Sequence, residues 1–323
     1  MRYIEVNGAR VSVIGLGTWQ FGSKEWGYGQ DYAQSESGQI LGRALDLGIN
    51  LVDTAEIYGR GESERIVGKY LDGRRDEAFV ATKVLPVAPT AKYVEKHGRA
   101  SAGRLGIDMI DLYQIHWPNP VVPLSQQMDG MRRLQQAGIV TAVGVSNFSL
   151  ARWKAAEAAL GTPVLSNQVQ YSLVSRKPDA ELIPYAQRND RLVIAYSPLG
   201  MGLLSGRYDA DHPPTGSARL NNPLFLPENL ERARPLIDAT REIATAHDAT
   251  PTQVALAWVV QHPNVVAIPG ASSVAQLEAN VAAADLELSA DDVERLTRAS
   301  DAFHPTKGAA AAPKIIKRRL TKS

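Results

Sequence analysis

Between residues 39 and 195 the chain repeats one pattern: a stretch with helical spacing of apolar residues, a stop, then a short apolar run. Helical spacing covers 39–47, 64–70, 91–105, 124–137, 150–160 and 179–188, and the runs that follow span 50–52, 79–82, 109–115, 141–145, 164–169 and 192–195. Runs that are apolar on both faces need cover on both sides, which is the condition of a parallel sheet flanked by helices. After residue 196 the interval lengthens into a Gly/Pro-rich loop, helical stretches near 230–247 and 251–261, and a last run at 265–268. Helices over 273–283 and 290–299 follow. With the run at 11–14 the count reaches eight, and eight βα units favour closure into a (β/α)8 TIM barrel. The expected architecture is α/β: one barrel domain over residues 1–323, opened by a β-hairpin that turns at Asn7-Gly8 and carrying two extra helices. An open doubly wound sheet is the alternative. Gly15, Gly17 and Gly22 tempt a dinucleotide fingerprint, but Gln20 stands where its third glycine belongs, and aromatics follow where a helix should open.

Composition narrows the function classes. With 44% hydrophobic residues in 323, the chain buries a sizeable core. A net charge of +1, from 35 basic and 34 acidic residues, offers no footprint for nucleic acid and no field for a membrane surface. The absence of cysteine excludes disulfides and thiolate chemistry and fits a reducing compartment. No stretch has the length of a membrane span and no signal-like segment stands near residue 1, so a soluble cytoplasmic protein is expected. The segment 306–323, alanine-rich and then basic, reads as a solvated, mobile tail.

In a parallel barrel the functional groups stand where strands run into βα loops. That rim carries Thr18 and Trp19, Asp53, Lys83, His116, Ser146 and Asn147, Gln168, Tyr196 and Ser197, and Gly270. A lysine directly after an apolar strand must reach water or find a partner, and Asp53 is the natural one. Such a pair beside the phenol of Tyr58 would stabilise phenolate and lower the Tyr58 pKa, so the expected shift is downward.

Val52-Asp53-Thr54-Ala55-Glu56-Ile57-Tyr58-Gly59, Lys83, Gln114-Ile115-His116, Gly144-Val145-Ser146-Asn147-Phe148, Asn167-Gln168 and Ile268-Pro269-Gly270 occur in this order. Together they resemble an aldo-keto reductase from the hairpin to about Leu288. The resemblance implies a catalytic tetrad of Asp53, Tyr58, Lys83 and His116, and reduction of an aldehyde or ketone by hydride from a reduced nicotinamide, NADPH in preference to NADH, with Tyr58 as proton donor. It also implies a cofactor cradle. Thr18, Trp19 and Asp53 would line it, Ser146, Asn147 and Gln168 would hold the carboxamide, and Tyr196 would stack on the nicotinamide. Ser197, Pro198, Leu199, Gly200 and Arg207, with Arg219 as a further candidate, are similar to the long-loop branch that includes potassium-channel beta subunits, where this segment drapes over the pyrophosphate. Gly270, Ser272, Gln276 and Asn280 would complete the cradle; Gly270 and Gln276 stand where the classical branch has a lysine and an arginine. Trp19, Trp26, Tyr58, His116 and Trp117 would wall the pocket for a small carbonyl substrate. The same resemblance admits a second reading, a nicotinamide-sensing regulatory subunit with little turnover.

Two other chemistries lack their parts. The histidines at 97, 116, 212, 247, 262 and 304 form no close ligand pair, so no metal site is expected. Phe148 replaces the closing glycine of a nucleophile elbow after Ser146.

Overall fold

The computed structural model describes residues 1–22, 35–214 and 216–320. A two-stranded antiparallel hairpin, β1 (Tyr3–Val6) and β2 (Ala9–Ser12), opens the chain, with Asn7 and Gly8 at positive φ in its turn. Eight parallel strands follow: β3 (Leu16–Gly17), β4 (Leu51–Asp53), β5 (Phe79–Val84), β6 (Ile110–Ile115), β7 (Val140–Ser146), β8 (Ser166–Gln170), β9 (Leu192–Tyr196) and β10 (Val265–Ala267). Each pairs with its neighbour in chain order, and parallel bridges Ile14↔Ala267 and Gly17↔Gly270 join the two edge strands. The sheet closes on itself as the eightfold alternation requires.

The first barrel strand lies later than the sequence suggested. Residues 11–14 do not form one strand: the hairpin ends at Ser12, and β3 begins at Leu16. The shift has a local cause. Ser12 and Asn50 exchange side-chain bonds with each other's backbone (Ser12 N to Asn50 Oδ1, 2.7 Å; Asn50 N to Ser12 Oγ, 3.2 Å). A Cβ on Gly15 would stand 2.8 Å from Leu51 Cγ, so the chain crosses Leu51 where only glycine fits.

Helices α1 (Ser37–Asp46), α2 (Glu62–Leu71), α3 (Ala91–Leu105), α4 (Leu124–Gln136), α5 (Leu150–Leu160) and α6 (Leu182–Asn189) follow β3 to β8 in turn. The segment after β9 holds the short α7 (Ser217–Leu220), α8 (Pro227–Ala246) and α9 (Pro251–Val259); α10 (Val274–Ala282) follows β10. The extra helices expected from the sequence are α8 and α11 (Ala290–Asp301), joined through His247 to Asp292 (2.9 Å) and an ion pair between Glu242 and Arg295. Beyond them α12 (Ala312–Leu320) is tied back by Lys314 to Glu228 (2.5 Å) and by Arg318 Nη1 donating to the Phe225 carbonyl (2.8 Å). Among the described residues no helix is long and apolar enough to cross a membrane.

Strand alternation sorts the core into two layers. Val52, Val80, Val84, Tyr113, Ile115, Val143, Val145 and Val193 point outward under the helices. Leu51, Ala81, Leu112, Leu192, Ile194 and Val266 fill the barrel, with Val6 and Val11 of the hairpin packed against them. The same inward rows then turn polar toward the C-terminal rim: Leu51 gives way to Asp53, Ala81 to Lys83, and Leu112 to Gln114 and His116. The fold thus sets its ionisable groups on the floor of an apolar well.

Candidate active site

Register places the central pair. Asp53 ends β4 opposite Ala81, so Lys83 stands one inward step further along β5 and reaches back over it. Lys83 Nζ donates to Asp53 Oδ1 (2.8 Å) and Oδ2 (2.7 Å) and to the Thr54 carbonyl (2.8 Å), and lies 3.4 Å from Tyr58 Oη. Gln168 Nε2 donates to Asp53 Oδ1 at 2.7 Å. Both charged side chains are sealed from solvent, at 0% and 3% exposure. A buried cation persists only with such compensation. Burial pulls Lys83 toward neutrality, but the Asp53 carboxylate and the Tyr58 phenol outweigh it and raise its pKa.

Tyr58 opens the 3-10 turn Tyr58–Gly61, in which Gly59, Arg60 and Gly61 all take positive φ. The turn swings the ring back over the barrel mouth, edge-on to His116 with ring centroids 5.8 Å apart. The direction of the Tyr58 shift differs from the sequence expectation. Burial raises its pKa, Lys83 opposes that rise without cancelling it, and Asp53 adds to it. The lysine offsets part of the desolvation of phenolate rather than producing a ready anion. For His116, burial and then the Lys83 charge depress the pKa to about 3, so the imidazole is neutral at physiological pH.

Next to this group, Ser146 Oγ donates to the Gln168 carbonyl (2.9 Å) and accepts from Asn147 Nδ2 (3.0 Å). Asn147, at positive φ, also donates to the His116 carbonyl (3.3 Å) and accepts from Tyr196 Oη (2.9 Å). Ser146, Asn147, Gln168 and Tyr196 therefore form one connected polar wall beside His116. Ser197 has φ 49°, and Pro198 and Leu199 lead into a turn in which Gly200, Met201 and Gly202 all take positive φ. Arg219 Nε donates to the Met201 carbonyl (2.8 Å), and Arg207 lies exposed beside Tyr208. On the far side, Gln20 Nε2 donates to the Ala271 carbonyl (2.9 Å), and a Cβ on Gly270 would meet Gln20 Oε1 at 2.8 Å. Gln276 Oε1 accepts from Ser272 N (3.0 Å) and Oγ (2.8 Å), and Asn280 Nδ2 reaches the Gly270 carbonyl at 3.5 Å.

Not every anticipated residue faces the cleft. Thr18 is fully buried, its hydroxyl engaged with the Asp53 carbonyl (2.9 Å) and Ser63 Oγ (2.7 Å), so it braces the strand end that presents Asp53. Trp19 and Trp117 are exposed, and Trp117 lies beside His116 with ring centroids 6.1 Å apart. Trp26 lies outside the described residues. Among those described, no cluster of His, Asp and Glu could hold a metal ion.

Sequence reasoning missed the support behind Tyr58. Glu56 accepts from Leu85 N (2.6 Å) and pairs with His97 Nδ1 (2.6 Å), while Glu64 accepts from Thr82 Oγ1 (2.6 Å) and Arg104 Nε (2.5 Å). These carboxylates pin both ends of the Tyr58 turn to β5 and α3. A signal was present: His97 and Arg104 stand seven residues apart, on one face of α3.

A family model described as the aldo/keto reductase family matches residues 13–301. The chain belongs to the aldo/keto reductase family. An uncharacterized oxidoreductase of Mycobacterium tuberculosis is 57% identical over 308 residues, covering 94% of each chain. Among solved structures, the glycerol dehydrogenase of Gluconobacter oxydans superposes with TM-score 0.85 at 28% identity, over 95% of this chain and 97% of that one. An aldo/keto reductase from Klebsiella pneumoniae, solved in complex with NADP and acetate, gives TM-score 0.75 at 29% identity over 95% and 96%. In this aldo/keto reductase the four ionisable groups and the polar wall share the C-terminal mouth of the barrel.

Proposed function

We propose that the protein reduces an aldehyde or ketone to an alcohol with NADPH, using Tyr58 as proton donor, Lys83 and Asp53 as its electrostatic support, and His116 as the group that orients the carbonyl. The observation that carries the reading is the buried Lys83 ammonium, held by Asp53 and lying 3.4 Å from Tyr58 Oη. A cation beside a phenol stabilises the charge left when the proton departs.

The residues suit a dinucleotide. Their donor set combines side-chain amides at the barrel mouth with two arginines on the long loop, and the relative from Klebsiella pneumoniae carries NADP. Asn147, Ser146 and Gln168 would hold the carboxamide, Tyr196 would face the ring, Arg207 and Arg219 would meet phosphate charge, and Gly270, Ser272, Gln276 and Asn280 would border the adenosine end. Bound there, NADPH supplies the hydride. Tyr58 gives its proton to the carbonyl oxygen as charge develops on it. Neutral His116 offers an N–H to the same oxygen and fixes the angle of approach. Lys83 stays protonated throughout and limits the cost of the transient phenolate. Exposed Trp19 and Trp117 would flank the substrate. A buried ion pair aimed at a phenol supports turnover over a purely regulatory nucleotide site.

The test is loss of NADPH absorbance with a panel of aliphatic and aromatic aldehydes. Tyr58→Phe is expected to lower kcat by ~10²–10⁴ while NADPH still quenches tryptophan fluorescence with little change in affinity. Equal turnover in that variant would remove Tyr58 from the mechanism.

A further inference from the structure

A neutral imidazole has one N–H and one acceptor nitrogen, so a histidine that must donate to a carbonyl through one nitrogen has to accept at the other. In His116 the Nδ1 atom is buried with no hydrogen-bond partner among the described residues. A buried acceptor left unpaired forfeits its hydration without compensation, which predicts a donor nearby. The inward row of β6 supplies one. Gln114, two residues back on the same face, is fully buried, and among the described residues its Nε2 also lacks a partner. Ser166 Oγ donates to Gln114 Oε1 at 3.4 Å, which leaves Nε2 as the unpaired end. Its cross-strand neighbours offer no competing acceptor side chain. On one side stands Lys83, a cation; on the other stands Gly144, where an added Cβ would collide with Ser166 Oγ and lie 2.9 Å from Gln114 Cγ. A glycine is thus kept where the Gln114 side chain lies across the barrel.

We propose that Gln114 is a positioning residue for His116: one buried water, accepting from Gln114 Nε2 and donating to His116 Nδ1, holds the imidazole in the tautomer with its proton on Nε2. Residues two apart on a strand point to the same face, so the two unpartnered nitrogens belong to adjacent side chains of one row, the arrangement in which a single water can bridge a donor and an acceptor. The consequence is that the ring always offers an N–H at the other nitrogen, where a carbonyl oxygen can receive it. This role rests on the reductase reading of the site, since it matters only if His116 donates to substrate.

The experiment uses the full chain with ¹⁵N-labelled histidine, the His116 signals being identified by their loss in His116→Gln. In the wild type, Nδ1 is expected at the shift of an unprotonated nitrogen and Nε2 at that of a protonated one. Gln114→Met keeps the volume and removes the donor. It is expected to move both signals toward averaged values and to lower kcat on the order of 10-fold, the scale of partners one shell removed, with NADPH affinity unchanged. Ser166→Ala is a milder variant that frees the amide to turn over, with a smaller shift in the same direction; it carries the test if Gln114→Met does not fold. A wild-type ring protonated on Nδ1, or an unchanged Nε2–H pattern in a folded Gln114→Met protein, overturns the proposal. Failure of the wild type to turn over any carbonyl would count against the reductase reading instead, and the nitrogen shifts would distinguish the two.

Discussion

Lys83 Nζ bonds both carboxylate oxygens of Asp53, at 2.8 and 2.7 Å, inside a barrel that excludes solvent from both side chains. Removing one partner strands a charge, so Asp53→Ala is expected to lower the unfolding free energy by ~3–5 kcal/mol. The apolar double variant Asp53→Leu with Lys83→Met is expected to recover most of that loss without recovering turnover. Denaturant melts beside kcat on the same preparations check both. A double variant as unstable as the single would show that the pair is held for stability.

The rate of carbonyl reduction should be flat with pH through the neutral range. Its donor, Tyr58, must be protonated, and burial holds its pKa above the ordinary phenol value of 10. His116, depressed to about 3, contributes no inflection near 6.5. A kcat profile that bends near 6.5 in the wild type and straightens in His116→Asn would contradict this ionisation scheme.

Acid stability carries the opposite signature of the same histidine. The unfolded chain binds a proton at His116 below 6.5, whereas the folded state resists it down to about 3. Its contribution is present above 6.5 and lost as pH falls through that window, at up to ~1.4 kcal/mol per pH unit. His116→Asn should flatten the decline of unfolding free energy between these limits. Chemical denaturation at a series of pH values measures the slope.

Glu56 receives the Leu85 amide and the His97 ring at 2.6 Å each, two residues before Tyr58. Glu56→Ala leaves a partly buried backbone donor unpaired, at a cost of ~1–3 kcal/mol, and loosens the turn that aims the phenol. The expected result is a lower kcat with an unchanged KM for NADPH. Glu56→Gln, which can still accept from Leu85, should retain more activity than the alanine variant.

The barrel was legible because its strands are short and apolar on both faces, a pattern that few other arrangements can bury. Asp53, Lys83 and His116 stood out for a related reason, as each interrupts such a run at its end. The two-residue β3 is too brief to show any period, so the first strand was expected at 11–14 instead of Leu16–Gly17. The direction of the Tyr58 shift depends on how completely the ring is buried, and no order of residues along a chain states that. Glu64 meets Arg104 only when α2 packs against α3, and Glu56 meets His97 only when the segment before Tyr58 lies on α3, contacts that no spacing within one helix states. Gln114 enters the sequence reading only as part of Gln114-Ile115-His116; its place between Lys83 and Gly144 is set by strand register.

Closure of the barrel depends on a narrow seam. Where β3 meets β10, the ladder is reduced to a few bonds, among them Gly15 N to the Ala267 carbonyl (2.8 Å) and Gly17 N to the Pro269 carbonyl (3.2 Å). Fewer bonds to break make this the place where the cylinder first parts under thermal agitation. Deuterium should enter the amides of Gly15 and Gly17 well before those of Leu112 or Val143, and a staple across that join would slow the whole molecule's unzipping.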